Sequence, residues 1–259
     1  MVTNMINLTW YGTNSIKITS NEESILFDPF IRFDKRNDKK IINNYKNVKN
    51  IFITHGHLDH TMDLKKIYKD ENVKIHFTKN PYNKLKKEIN VNYLTIIKPN
   101  DSFNIKDIKI KVYKGKHIKF DLKLIIKTLI NKNIIKYYKN IPLLIKNHIR
   151  CKENNETIIY YLNISNLKIL LMGSMALDKN TVYPKNIDYL ILAYQGRSDL
   201  DKKVIDIIDI IKPKNIILSH FDNSFPPIST NVDINKLKKV INKNINLIIP
   251  EYEKEIFLI

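Results

Sequence analysis

Thr54-His55-Gly56-His57-Leu58-Asp59-His60 is the stretch on which the reading of this chain turns. Three of the seven histidines and an aspartate fall within six residues, directly after an apolar run at 49–54 that reads as a buried strand. A tight loop at a strand end points several such side chains at one place. Neutral imidazole and carboxylate are what zinc and similar ions take as ligands, and a catalytic centre leaves one position open for water. Gly56 allows the backbone to make the turn. The competing reading is a solvent-exposed His-rich loop, which the scarcity of histidine in the rest of the chain disfavours.

Outward from the loop, β-rich runs at 6–11, 15–19 and 24–27 close at Asp28-Pro29. A helical stretch follows at 62–69, a strand at 73–78, a helix opening at Pro81 and strands around 93–97 and 108–113. The second half alternates strands at 157–163, 168–172, 188–193 and 215–219 with helices at 200–211 and 233–242. Short strands at 247–249 and 255–258 end the series. Strands first, then strand–helix alternation, predict an α/β layered domain spanning residues 1–259.

The segment 121–150 stands apart as a basic helical insert. Leu122, Ile125, Ile126, Leu129, Ile130 and Ile134 share one face at helical spacing, with Lys123, Lys127, Lys132 and Lys136 over the rest, until Pro142 interrupts. The plain reading is an amphipathic helix packed on the domain. A lid over the site or a membrane-surface helix are the sharper readings, and its start four residues after His117 favours the lid.

Composition narrows the class. Apolar residues make up 43 % of the chain, enough for a substantial core and against disorder. The single cysteine, Cys151, excludes an internal disulfide and fits a reducing compartment. The first ten residues show no secretory signal, and no apolar run approaches the ~20 residues that cross a bilayer, so a cytoplasmic protein is expected. The net charge of +18 suggests nucleic acid, but the lysines are spread along the chain beside equally heavy Asn and Ile, the signature of AT-rich codon usage. Only five glycines remain where average usage predicts roughly eighteen, so those kept should mark positions the backbone cannot replace.

His-x-His-x-Asp-His after a strand resembles the signature of the metallo-β-lactamase superfamily. Leu8-Thr9-Trp10-Tyr11-Gly12, followed by Ile25-Leu26-Phe27-Asp28-Pro29, is similar to the first hairpin of its lactonase- and phosphodiesterase-like branches. The likeness runs from about residue 6 to 230 and is weakest over 121–150. It implies a four-layer αβ/βα sandwich and a hydrolase with one or two Zn2+ ions, or Mn2+ or Fe2+ in their place. It also assigns His55 and His57 to one metal and Asp59 and His60 to the other.

The first metal then needs a distant imidazole. His117, at the end of the strand at 108–113, is the first choice over the lysine-loop surface role it could otherwise have. The second needs a late histidine, and His220 after the strand at 215–219 resembles the family's last motif. Asp222 is placed to orient a ligand. His76 and His148 read as structural. One departure stands out: where the family carries Gly-Asp with a metal-bridging carboxylate, this chain has Gly173-Ser174. The second ion should therefore be weaker, unless Asp178 or Asp222 reaches in. Arg197, in the strand-to-helix turn Tyr194–Asp199, can receive an anionic group or simply sit solvated beside a helix cap. The expected activity is hydrolysis of an ester, lactone or phosphodiester in a small, anionic substrate, with Asp59 orienting the attacking water. Two alternatives accompany it: a nucleic-acid processing nuclease of the same fold, and a metal-binding protein with reduced catalysis. The absence of a secretory signal argues against β-lactam breakdown.

Overall fold

The computed structural model describes residues 5–21, 23–36, 41–67, 73–130, 133–150 and 152–259. Expectations at Met1–Asn4, Lys69, Lys132 and Cys151, and for the side chains of Ile125, Lys127 and Leu129, lie outside the described residues. The first half of the chain forms strands β1 (Ile6–Trp10), β2 (Ile16–Ser20), β3 (Glu23–Phe27), β4 (Asn50–Phe52), β5 (Lys74–Phe77) and β6 (Leu94–Ile96). The second forms β7 (Ser102–Ile105), β8 (Ile108–Lys114), β9 (Ile158–Ile164), β10 (Leu167–Met172), β11 (Tyr189–Ala193), β12 (Asn215–Ser219) and β13 (Asn246–Ile248). A last strand, β14 (Glu255–Leu258), returns to pair antiparallel with β1. Two mixed sheets result, ordered β14-β1-β2-β3-β4-β5-β6 and β13-β12-β11-β10-β9-β8-β7.

Alternation along the strands builds the layers. Ile169 and Leu171 of β10 join Leu8, Ile16, Phe27 and Phe52 in the core between the sheets. Leu170 and Met172 of the same strand face the opposite side. Each such side chain, fully buried, contributes roughly 1.5–3 kcal/mol. After a short α1 (Leu58–Thr61), whose Leu58 packs elsewhere, the outer face of the first sheet is covered by helices α2 (Leu64–Ile67) and α3 (Lys79–Leu85), through Leu64, Ile67 and Leu85. The second sheet is covered beyond an intervening segment by α7 (Leu200–Ile211) and α8 (Asn235–Val240). Leu200, Val204, Ile207 and Ile211 are the buried stripe of α7, at the spacing of one helical face. That helix stops where Lys212 turns left-handed at φ 53°. Helix, sheet, sheet, helix is the α/β sandwich the sequence predicts.

The intervening segment departs from expectation in detail. It holds α4 (Leu122–Leu129), α5 (Asn133–Lys136) and α6 (Ile141–Arg150) rather than one helix ended by proline. Pro142 instead opens α6, where a missing N–H leaves nothing unpaired. Leu144 is the inward anchor of α6, packed with Phe30, Leu58, Met62 and Phe225, and Arg150 holds Glu88 through two hydrogen bonds. Two of the apolar side chains of α4 face outward, Leu122 and Ile126 at 78 % and 57 % exposed, while Leu124 turns to the cavity. Among the described residues, no helix is long and apolar enough to cross a membrane.

Candidate metal centre

The ends of three strands gather the histidines. The chain leaves β4 through Thr54, and His57 caps α1, so Asp59 and His60 occupy the first turn of that helix. His117 lies three residues beyond β8, and His220 one residue beyond β12. His220 has φ 57°, and Asp28, just past β3, has φ 42°. Neither is glycine, and such backbone costs about 1–3 kcal/mol and persists only where surrounding contacts dictate it. Here the His220 N–H donates to the Thr13 carbonyl at 2.6 Å, and Asp28 is held by four donors described below.

These positions make two triads. One ligand atom each from His55, His57 and His117 lie within 4.8 Å of one another, and Asp59, His60 and His220 form a second group by the same measure. The His55 and His60 rings, 3.9 Å apart, join the two groups. All six residues line one cavity of about 360 Å³. The chemistry of the donors fits metal ions. His55 Nε2, His60 Nε2 and His220 Nδ1 are buried without a hydrogen-bond partner among the described residues. An unpaired buried polar atom costs about 1–3 kcal/mol, so the Nε2 atoms of the adjoining His55 and His60 rings point to a ligand that uses them, and His220 turns its Nε2 to Asp59 beside them.

Asp28 aligns the second triad, a role the sequence reading did not find. Its carboxylate accepts from Thr54 N at 2.7 Å, Thr54 Oγ1 at 2.6 Å and Asn14 Nδ2 at 2.7 Å, and meets His60 Nδ1 at 2.8 Å. With Nδ1 turned to Asp28, His60 presents Nε2 toward the cavity. The signal was the Asp28-Pro29 pair after a strand, which reads equally as a strand terminator. Gly173 is required by the same packing, because a Cβ there would lie 1.9 Å from Thr54 Oγ1. Gly56 serves space too, and not the turn: its φ is not positive, but a Cβ would meet the Lys152 carbonyl at 2.4 Å.

The two triads differ in charge. Burial, reinforced by neighbouring imidazoles, pushes His55 well down, His57 to about 3 and His117 down, so the first triad is neutral at neutral pH. Burial opposes charge on His60 as well, but Asp28 and Asp59 outweigh it and lift His60 to about 10. Burial alone would raise Asp59; His60 and His220 overcome it and hold the carboxyl well below its usual range. His220 Nε2 sits 2.8 Å from Asp59 Oδ2.

The remaining sequence candidates fall in different places. Ser174 lines the cavity, and its Oγ accepts from Ile118 N at 3.0 Å, so the hydroxyl ties down the loop that carries His117. Asp178 pairs with Lys114 at 3.2 Å, and Asp222 accepts from Thr13 N and Arg32 Nη1 at 3.0 Å each. Neither is in the cavity wall, where Asp59 is the single acid among the described residues. Arg197 does reach the wall, with its guanidinium already shared between Asp199 and the Lys119 carbonyl. His76 stacks on Phe52 with ring centres 4.4 Å apart, a packing role. His148, expected to be structural in an irregular stretch, belongs to α6 and lines the cavity, 6.5 Å from the His57 ring. Its helical register becomes visible only once Pro142 is read as a helix start.

Fold and site together define a metal-dependent hydrolase of the metallo-β-lactamase fold. Residues 7–220 match the beta-lactamase superfamily domain, most of the chain, and the protein belongs to that family. Its fold is similar to Igni18, a novel metallo hydrolase from the archaeon Ignicoccus hospitalis, with a TM-score of 0.64 and 13 % identity over 98 % of each chain. The metallo-beta-lactamase fold protein YhfI from Bacillus subtilis aligns at 0.62 and 11 %, over 98 % of this chain and 100 % of that one. A possible metal-dependent hydrolase from Veillonella parvula aligns at 0.57 and 15 %, over 100 % of both. No curated protein matches the chain.

Proposed function

We propose that the protein hydrolyses an ester or lactone of a small molecule with an apolar body, using zinc held by His55, His57 and His117, with Asp59, His60 and His220 as a second, weaker site. The observation that carries this reading is the pair of triads, with unpaired ring nitrogens, at the floor of one cavity. When bound, a divalent ion there supplies Lewis acidity, which lowers the pKa of water toward ~7 and polarises the oxygen of the bond to be cut. Asp59 orients the attacking water through a carboxylate oxygen. Its depressed pKa makes it a weak base, so it relays a proton to the leaving group rather than storing one.

The walls select the substrate. Leu58, Ile118, Phe120, Leu124, Phe225 and Val232 supply apolar surface, and among the described residues Arg197 is the one cationic side chain on the wall besides the histidines. Because Asp199 already holds Arg197, the cavity is a poor receptor for a phosphodiester, and a neutral scissile group is the better fit. Among the described residues these walls hold no stacked aromatic and basic groove of the kind a nuclease uses.

The test is turnover of 4-nitrophenyl butyrate, a γ-lactone and bis(4-nitrophenyl) phosphate by protein loaded with Zn2+, Mn2+ or Fe2+. Ester or lactone hydrolysis should appear and fall by about a hundredfold or more in His57→Ala. Protein that holds its ion and cuts neither neutral substrate would sink the proposal, and phosphodiester turnover alone would reverse its substrate preference.

A further inference from the structure

Nine of the nineteen large apolar side chains exposed among the described residues lie between Phe120 and Ile149. Leu122, Ile126 and Ile130 recur at four-residue spacing along α4 and its C-terminal end. Ile145 and Ile149 repeat the spacing on α6, opposite the buried Leu144 and Asn147. Scattered exposed leucines and isoleucines need no explanation, but this concentration marks a surface that contacts something. The same stretch is cationic: residues 116–150 carry eight lysines and one arginine against a single acid, Asp121. That acid is already taken by the Ser198 backbone and hydroxyl.

We propose that this face docks on an anionic lipid bilayer, with Leu122, Ile126, Ile130, Ile145 and Ile149 entering the headgroup–acyl boundary. Charge selects this occupant. Two copies of the chain meeting through the face would bring like-charged lysines together, whereas an anionic leaflet complements them. Lysine stems lie along apolar surface while their ammonium groups reach phosphates, so Lys123, Lys136, Lys139 and Lys146 suit an interface where the outward isoleucines are buried. A nucleic acid would satisfy the lysines and leave the aliphatic side chains in water.

The face continues into the catalytic cavity. Phe120, Ile145 and Ile228 line the cavity and are still about half exposed, so they form part of its apolar rim. A docked bilayer would set acyl chains against that rim. This last consequence, an amphiphilic substrate, rests on the hydrolase reading; the docking does not.

Co-sedimentation of the full chain tests the docking without any turnover. The vesicles are phosphatidylcholine alone, and phosphatidylcholine with about a third phosphatidylglycerol. Binding should require phosphatidylglycerol and fall as salt screens the lysines. The triple variant Leu122→Glu, Ile126→Glu, Ile149→Glu should weaken it by about tenfold or more, because three apolar contacts are lost. Melting temperature and metal content of that variant should match the parent, since none of the three lines the cavity. Ile126→Trp gives an independent reading, as its fluorescence should shift to the blue on the anionic vesicles. Absence of binding to either vesicle, or a tryptophan that stays in water, overturns the proposal. So does a dimer in light scattering that the triple variant splits, which assigns the face to a second copy.

Discussion

At the scale of single residues, the balance between the two triads rests on Ser174 and His60. The first triad is made of neutral imidazoles ready to bind. The second must displace a proton from His60, and Ser174 offers no carboxylate between the two. Purified protein should therefore hold about one tight ion per chain, measured by elemental analysis after dialysis. Ser174→Asp should raise this toward two. Two tight ions in the unchanged protein would show that the bridging acid is dispensable. The pH dependence has a definite sign. His60, raised to about 10 in the folded metal-free state, favours folding below its unfolded value near 6.5, and this contribution disappears as pH climbs through about 10. Over pH 7–9 the second ion should then bind about tenfold more tightly per pH unit, with one proton released, while the His55–His57–His117 site gains nothing from its own histidines. Calorimetric titration in two buffers of different ionisation heat reads that proton directly. Asp28→Asn should weaken the second ion about 10–100-fold, because the amide no longer holds His60 by charge. Unaltered affinity in that variant would reduce Asp28 to a support for Thr54.

At the scale of elements, α4 and α6 supply part of the cavity wall, through Leu124, Leu144, Ile145 and His148. α6 is anchored chiefly by Leu144 against Phe30, Leu58, Met62 and Phe225. Leu144→Ala should cost about 2–3 kcal/mol locally and loosen the wall that Ile145 and His148 supply. The expected kinetic result is a raised KM with metal content unchanged, measured on whichever of the test substrates the protein turns over. Loss of the tight ion in Leu144→Ala would instead tie α6 to the metal centre itself. α7 behaves differently, since Val204, Ile207 and Ile211 are sealed against the second sheet away from the histidines. Truncation of its stripe should lower stability and leave KM alone.

At the scale of the whole molecule, the candidate ligands span both halves of the sandwich. His55, His57, Asp59 and His60 follow a strand of one sheet, while His117 and His220 follow strands of the other. An ion bound to either triad thus clamps the sheets and stabilises only the folded state. At a free concentration a hundredfold above Kd, that is about 2.7 kcal/mol. For a chain of this length, removal of metal by a chelator should lower Tm by about 5–10 °C. A Tm insensitive to chelation would mean that the sheets close without the ions.

What the sequence alone determined is local. The spacing in His55–His60 and the strand before it specify a metal loop, because consecutive residues on one turn share a destination whatever the rest of the chain does. Strand periodicity and the five retained glycines were legible for the same reason, although Gly56 proved to serve close approach rather than the turn. Tertiary structure decided everything that depends on which distant groups meet. Asp28 reads as a strand stop until β3 and β4 lie side by side and bring it to His60. Asp178 and Asp222 are plausible ligands until Lys114 and Arg32 are seen to hold them. The apolar stripe of α4 looks like core by period alone, since a helix repeats every 3.6 residues whether its partner is a sheet or a bilayer. Only the packing of the finished sandwich shows that Leu122 and Ile126 face outward.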